Sequence, residues 1–210
     1  MSEVGHRIAA RVAQHLRRGE VVNLGIGIPT LVADVLEPAD EVTLQTENGM
    51  LGFGPAPGDD AVDPALVNAG KLPITELPGA SYFSSSTSFA FIRGGHVDTV
   101  VLGALQIDAR GRIANWAIPG KPILGVGGAM DLLVGARRVI VATTHLTRAG
   151  EPKLVERCTY PLTALRPVDL VVTEAATFAT TDDGLELVEV AQGSDPDWVA
   201  AHTAAPYRTP

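Results

Sequence analysis

One cysteine, Cys158, is all the sulfur chemistry that 210 residues provide apart from three methionines. A single thiol can form neither an internal disulfide nor a cysteine-based zinc site. Cys158 therefore reads as a small buried hydrophobe in a reducing setting. Aromatic residues are scarce as well, at 5%, although hydrophobic residues reach 46%. The apolar weight rests on Val, Leu, Ile and Ala, and the mean hydropathy is +0.19. That pattern suits strands buried on both faces of a parallel sheet, with further surface hidden by a partner. Cations are in deficit: 16 Lys and Arg against 24 Asp and Glu leave a net charge of −8. A nucleic-acid surface needs clustered cations to displace counterions. The pairs Arg17-Arg18 and Arg137-Arg138 are too short to supply one. No apolar run is long enough to cross a membrane, and the N-terminal residues contain no apolar signal core. The expectation is a cytoplasmic protein that binds neither nucleic acid nor membrane.

Several catalytic signatures are missing too. The five histidines show no metal-ligand spacing, and no Gly-x-Ser-x-Gly elbow or P-loop is present. Gly25-Ile26-Gly27 lacks the third glycine of a dinucleotide fingerprint, because Thr30 stands in its place. Neither a metal nor a nicotinamide cofactor is expected.

Apolar periodicity supplies the organisation. Ile8, Val12 and Leu16 form one stripe of a helix over residues 4–16, which Gly19 can end. Strands are expected at 21–24, 42–46, 98–102, 139–143, 170–173 and 185–190. Helices are expected from Pro29 to about residue 36, at 84–92 and at 127–134. Residues 47–73, rich in Gly and Pro, read as a long irregular and functional loop. Asp195 can cap a last helix with Pro196 at its first position, and 196–210 form a terminal helix and tail. The whole reads as one domain over 1–210. Alternating strands and helices predict an α/β fold: an open, largely parallel sheet flanked by helices. Ligands then belong at the carboxyl ends of the strands.

Glu47 is placed that way, directly after an apolar strand and at the mouth of the turn Asn48-Gly49-Met50-Leu51-Gly52-Phe53-Gly54-Pro55. Glycines let a ligand approach the backbone. Met50, Leu51 and Phe53 suggest a packed loop that strips water from the carboxylate and makes it a better nucleophile. A surface glutamate beside a loose turn is the competing reading, and spacing alone leaves the two about even. Gly125-Val126-Gly127-Gly128-Ala129 leads into a helix and can present backbone N–H groups to an anion, or can simply be a tight packing turn.

Taken together, these segments resemble the β subunit of the family I 3-oxoacid CoA-transferases. The resemblance is carried by Glu47-Asn48-Gly49, by Gly25-Ile26-Gly27-Ile28-Pro29, and by the run from Leu77 through Pro78-Gly79-Ala80-Ser81-Tyr82 to Phe83. It continues through Arg93-Gly94-Gly95-His96-Val97-Asp98, Asn115-Trp116-Ala117-Ile118-Pro119-Gly120-Lys121 and Gly127-Gly128-Ala129-Met130-Asp131. It runs in order from about Val21 to Phe178, with Thr46 where many relatives have Ser. The resemblance implies the superfold shared with sugar-phosphate isomerases and ligand-sensing regulators. It implies an α subunit that completes the site in a hetero-oligomer, with coenzyme A as a substrate and no separate cofactor. It implies Glu47 as the nucleophile that becomes a glutamyl-CoA thioester, and the Gly128 N–H as an oxyanion donor. Succinyl-CoA is the implied donor, and acetoacetate or 3-oxoadipate the acceptor. Asn23 and Lys71 match positions that meet the substrate, although a solvated surface lysine is nearly as good a reading of Lys71. Asn48 and Asn115 either line the pocket or bond to their own turns, and Gly127 and Ala129 flank the oxyanion donor. The open alternatives are an acetate- or butyrate-type transferase, an acyl-CoA hydrolase, and a non-catalytic ligand sensor on the same superfold.

Overall fold

Residues 2–123 and 125–209 are described by the structure, a computed structural model. The chain opens with helix α1 (Glu3–Ala13), whose N-cap Ser2 accepts a hydrogen bond from Gly5 N–H. The helix ends at Ala13, ahead of the expected residue 16. Gly19 instead takes a positive φ of 79° in the turn that follows, where its N–H donates to Glu41 O. Next come strand β1 (Val21–Leu24), a 3-10 turn (Ile28–Leu31) continuing into the short helix α2 (Val32–Val35), and strand β2 (Thr43–Thr46). Strands β3 (Met50–Gly54) and β4 (Thr75–Tyr82), helix α3 (Ser85–Arg93) and strand β5 (Thr99–Leu102) follow. After the small strands β6 (Gln106–Asp108) and β7 (Ile113–Ala114) come helix α4 (Ala129–Gly135), β8 (Arg138–Ala142) and β9 (Leu154–Val155). The chain closes with β10 (Leu170–Val172), β11 (Ala176–Thr181), β12 (Gly184–Val190), helix α5 (Pro196–His202) and β13 (Tyr207–Arg208).

Among the described residues, ten strands form one open sheet in the order β13-β12-β11-β10-β8-β5-β1-β2-β3-β4. Its centre, β10-β8-β5-β1-β2, is parallel throughout. β3 and β4 run antiparallel at one edge, and β11 and β12 at the other. A second sheet, β7-β6-β9, covers one flank. The apolar runs seen in the sequence explain the central strands. Side chains alternate across a strand, so a run buried on both faces must feed two cores. On β5, Val100 and Leu102 enter one core while Val101 enters the other. On β8, Val139 and Val141 take the first core, and Ile140 and Ala142 the second. The second core is sealed by Ile8, Ala9 and Val12 of α1 with Val32 and Ala33 of α2. The first is sealed by Ile92 of α3, Leu132 and Leu133 of α4, and Val199 of α5.

One expectation fails outright, since residues 47–73 are not all irregular: they contain β3. Gly52 and Gly54 hide it, because glycine is poor in strands. Pairing with β2 and β4 overrides that propensity, and Gly52, at φ 86°, absorbs a register shift between Leu51 and Phe53 as a bulge. Cys158 departs too, being half-buried, with its Sγ 3.6 Å from Arg112 O. Burial pushes its thiol up to about 12, so it stays protonated and inert.

Candidate active site

The chain builds β1, then β2, β3 and β4 on one side, and returns through α3 to add β5 on the other side of β1. Strand order therefore reverses at β1, and a crevice opens at the carboxyl ends of β2, β1 and β5. A cavity of about 500 Å³ occupies it. Leu24, Gly25 and Ile26 line it from the end of β1, Glu47 from the end of β2, and residues 102–105 from the end of β5. Asn115, Ala69 and residues 125–129 complete the wall.

Glu47 sits at the tip of the β2–β3 hairpin, where Thr46 pairs with Met50. Gly49 makes that tight reversal possible with a φ of 120°, and its N–H donates to Thr46 O. A Cβ on Gly49 would lie 2.0 Å from Phe83 O, so the turn packs directly on the chain leaving β4. The carboxylate is half-buried and its pKa is raised. Burial is the main cause, the backbone N–H of Gly128 opposes it, and the charge of Asp131 adds to it.

Gly128 is the N-cap of α4 and follows Gly127, whose φ is 50°. A Cβ on Gly128 would fall 2.0 Å from Glu47 Oε2 and 3.2 Å from Phe89 Cζ. A side chain at Gly128 would therefore push the carboxylate from where it rests. A positive-φ residue followed by one in the helical region turns successive N–H groups towards one side. That arrangement can hold a carboxylate in the resting state and an oxyanion during reaction.

The structure brings Glu47, Asn115, Gly127, Gly128 and Ala129 together around the cavity. Asn115 donates from Nδ2 to Gly103 O at 3.2 Å and accepts from the Thr163 hydroxyl at 2.7 Å, so its amide both lines the wall and braces it. The other three expected residues lie elsewhere. Asn23 is 1% exposed and donates to Gln45 Oε1 at 2.5 Å, and Gln45 in turn donates to Ser88 Oγ at 2.8 Å. That is an interior network joining β1, β2 and α3 beneath the site. Asn48 is exposed and bonds to its surroundings rather than to the cavity: it accepts from the Thr46 hydroxyl and donates to Val67 O. Lys71 is exposed at φ 60° in a turn made by Asn68, whose Oδ1 accepts from Gly70 N–H and Leu72 N–H. Sequence reasoning missed Asn68, which is buried, and the wall residue Ala69. The available signal was the string Asn68-Ala69-Gly70-Lys71, a turn composition in which Asn bonds to backbone N–H groups ahead of it.

An open α/β sheet whose switch point holds a half-buried glutamate of raised pKa against the Gly128 backbone N–H is the arrangement expected of a protein that handles an acyl group. Residues 6–200 match the family described as coenzyme A transferase. The chain is 51% identical over 201 residues to the beta subunit of the acetate CoA-transferase of Escherichia coli K12, covering 96% of this chain and 92% of that one. It is 46% identical over 200 residues to the matching subunit of the succinyl-CoA:3-ketoacid coenzyme A transferase of Helicobacter pylori J99, covering 95% and 96%. The crystal structure of the acyl-CoA transferase YdiF of Escherichia coli O157:H7 shares the fold at a TM-score of 0.77 and 22% identity, over 99% of this chain and 42% of that longer one. The chain belongs to the coenzyme A transferase family and is a CoA-transferase subunit of the β type.

Proposed function

We propose that Glu47 is the nucleophile of a CoA transfer from succinyl-CoA to a 3-oxoacid, performed with an α subunit. A carboxylate oxygen of Glu47 attacks the thioester carbonyl. The carbon–sulfur bond breaks, giving a mixed acyl-glutamyl anhydride and CoA thiolate. The thiolate attacks the Glu47 carbonyl carbon and the anhydride bond breaks. The donor acid leaves as a carboxylate, and the enzyme carries a glutamyl-CoA thioester. The acceptor carboxylate then attacks that thioester, releasing thiolate and forming a second anhydride. Attack of the thiolate on the acceptor acyl carbon frees Glu47. This is covalent catalysis, with thioester energy conserved at each step. The Gly128 N–H supplies one donor to the tetrahedral oxyanions and the α subunit a second, and such a donor is typically worth ~3 kcal/mol. Asn23 and Lys71 serve the substrate indirectly, Asn23 from β1 through its bond to Gln45 of β2 and Lys71 from the loop that supplies the wall residue Ala69.

The observation that carries this reading is the contact between Glu47 and Gly128, so close that a Cβ would collide with the carboxylate. A water-shielded anhydride fits the largely apolar wall of Leu24, Ile26, Leu102, Leu105 and Leu132. The test is reconstitution with the α subunit, addition of succinyl-CoA and reduction with borohydride. Peptide mass spectrometry is expected to find Glu47 reduced to the alcohol, and an unmodified Glu47 in a CoA-binding complex refutes the reading. The 51% identity to a subunit of an acetate CoA-transferase favours a second acceptor class, short unsubstituted carboxylates. Comparing acetoacetate, 3-oxoadipate, acetate and butyrate as acceptors in the same complex decides between them.

A further inference from the structure

We propose that the Thr46 hydroxyl is a positioning residue for Glu47, locking the turn of the nucleophile to the loop of residues 66–73 so that the two move as one body. The inference rests on Glu47 being the nucleophile. Thr46 is the last residue of β2 and is 1% exposed. Its hydroxyl is used in both directions, donating to Asn48 Oδ1 at 2.6 Å and accepting from Ala69 N–H at 3.0 Å. Asn48 in turn donates from Nδ2 to Val67 O at 2.8 Å. The residue before Glu47 and the residue after it are thus both tied to the same loop.

That loop is itself stiff. Val67 pairs with Pro73, Asn68 N–H donates to Leu72 O at 2.9 Å, and Asn68 Oδ1 holds the N–H groups of Gly70 and Leu72. It carries Ala69, which shares the cavity wall with Glu47. The Glu47 backbone cannot rotate without displacing that wall. The mechanism uses Glu47 twice, first as attacking oxygen and then as attacked carbonyl, so its position relative to the bound acyl group must persist across both steps. A displacement of about 1 Å in such an arrangement lowers the rate ~100-fold.

Thr46→Val keeps the β-branched shape and the strand but leaves Ala69 N–H and Asn48 Oδ1 without their partner. Thr46→Ser keeps the hydroxyl. The test uses the complex with the α subunit and measures three things: single-turnover formation of the borohydride-reducible adduct on Glu47, the KM for acyl-CoA, and assembly. Thr46→Val is expected to form the adduct ~100-fold more slowly with KM changed less than ~3-fold, and Thr46→Ser to recover most of the rate. A wild-type rate in Thr46→Val overturns the proposal, as does a Thr46→Ser variant as slow as Thr46→Val. Should Thr46→Val fail to assemble, Asn48→Ala carries the test, because it cuts the tie to Val67 at an exposed residue. Slow adduct formation there supports the clamp, and a wild-type rate overturns it. Failure of the nucleophile reading is separately visible, since the unmodified complex would then form no adduct on Glu47.

Discussion

In the proposed mechanism Glu47 must be ionised to attack, yet the pocket that would shield its anhydride also disfavours its charge. Burial raises its pKa, the Gly128 N–H pulls it back, and Asp131 pushes it up. Activity should therefore fall on acidification at a pH above the ordinary glutamate range. Asp131→Asn removes a negative neighbour, so it lowers the Glu47 pKa and moves the acid limb of kcat/KM to lower pH. A pH–rate profile of the two complexes checks this, and a limb that stays in place or moves upward contradicts it. Arg93, which pairs with Asp131 at 2.7 Å, is left free in that variant and works in the same direction. Removing the carboxylate is more drastic. Glu47→Ala should lower turnover by at least ~10³-fold, the scale seen when a nucleophile is lost. Glu47→Asp, one methylene shorter, should be severely impaired without loss of fold. Gly128→Ala acts from the opposite side: its methyl would need the space of Glu47 Oε2, 2.0 Å away. The carboxylate must move, and kcat should drop ~10²-fold. Kinetics on the assembled enzyme decides this, and near-normal kcat would remove Gly128 from the oxyanion site.

At the scale of elements, the hairpin that carries Glu47 depends on Gly49. Its φ of 120° is a conformation that residues with a Cβ rarely adopt, and that Cβ would stand 2.0 Å from Phe83 O. Gly49→Ala should destabilise the chain by ~2 kcal/mol or more, and it should lower activity further by tilting the hairpin. Denaturant unfolding checks the stability, and an unchanged midpoint would show that the β4 edge yields freely. The same hairpin shows what a sequence can and cannot announce. Val100, Val101 and Leu102, or Val139, Ile140 and Val141, declare central strands because an unbroken apolar run has to be buried on both faces. The cap Ser84 and the pair Asp195-Pro196 declare helix starts for equally local reasons. β3 and β4 are illegible because Gly52, Gly54, Pro78 and Gly79 are poor strand formers, and the β3–β4 pairing that helps override them joins residues far apart in sequence, such as Met50 with Tyr82. β6, β7 and β9 are two or three residues long and carry no period at all. At the site, Glu47 and Gly128 stand out through their glycine surroundings. The roles of Asn23, Asn48 and Thr46 do not, because an amide or hydroxyl reads the same in sequence whether it faces a cavity or clamps a loop.

For the whole molecule, the most consequential buried polar group lies far from Glu47 in sequence and outside its cavity. His145 is fully buried at the junction of β8, β10 and α5, with Thr173 Oγ1 at 3.1 Å from Nδ1 and Thr203 Oγ1 at 3.0 Å from Nε2. Both partners are neutral hydroxyls, and Phe178 and Trp198 pack around the ring. Neither hydroxyl compensates a positive charge there. Burial, with a smaller contribution from His202, lowers its pKa from 6.5 to about 4. The unfolded chain therefore binds a proton that the folded chain refuses between those two values, and stability must fall as pH drops through that window. The loss should reach about 2 kcal/mol by pH 5 and about 3 kcal/mol below pH 4, where it levels off. Urea unfolding of the isolated chain at pH 7.5, 6, 5 and 4.5 measures it, with His145→Gln as the control. Glutamine can still bond to a threonine hydroxyl but has no proton to gain, so that variant should be less stable at pH 7.5 and lose less on acidification. Equal slopes in the two proteins would assign the acid sensitivity to other groups. With Glu47 as the proposed nucleophile, acid should act on the enzyme twice through separate groups, by protonating Glu47 at the cavity and by loosening the contacts of α5 with His145. Because His145 lies outside the cavity, His145→Gln should flatten the stability curve and leave the acid limb of kcat/KM unmoved.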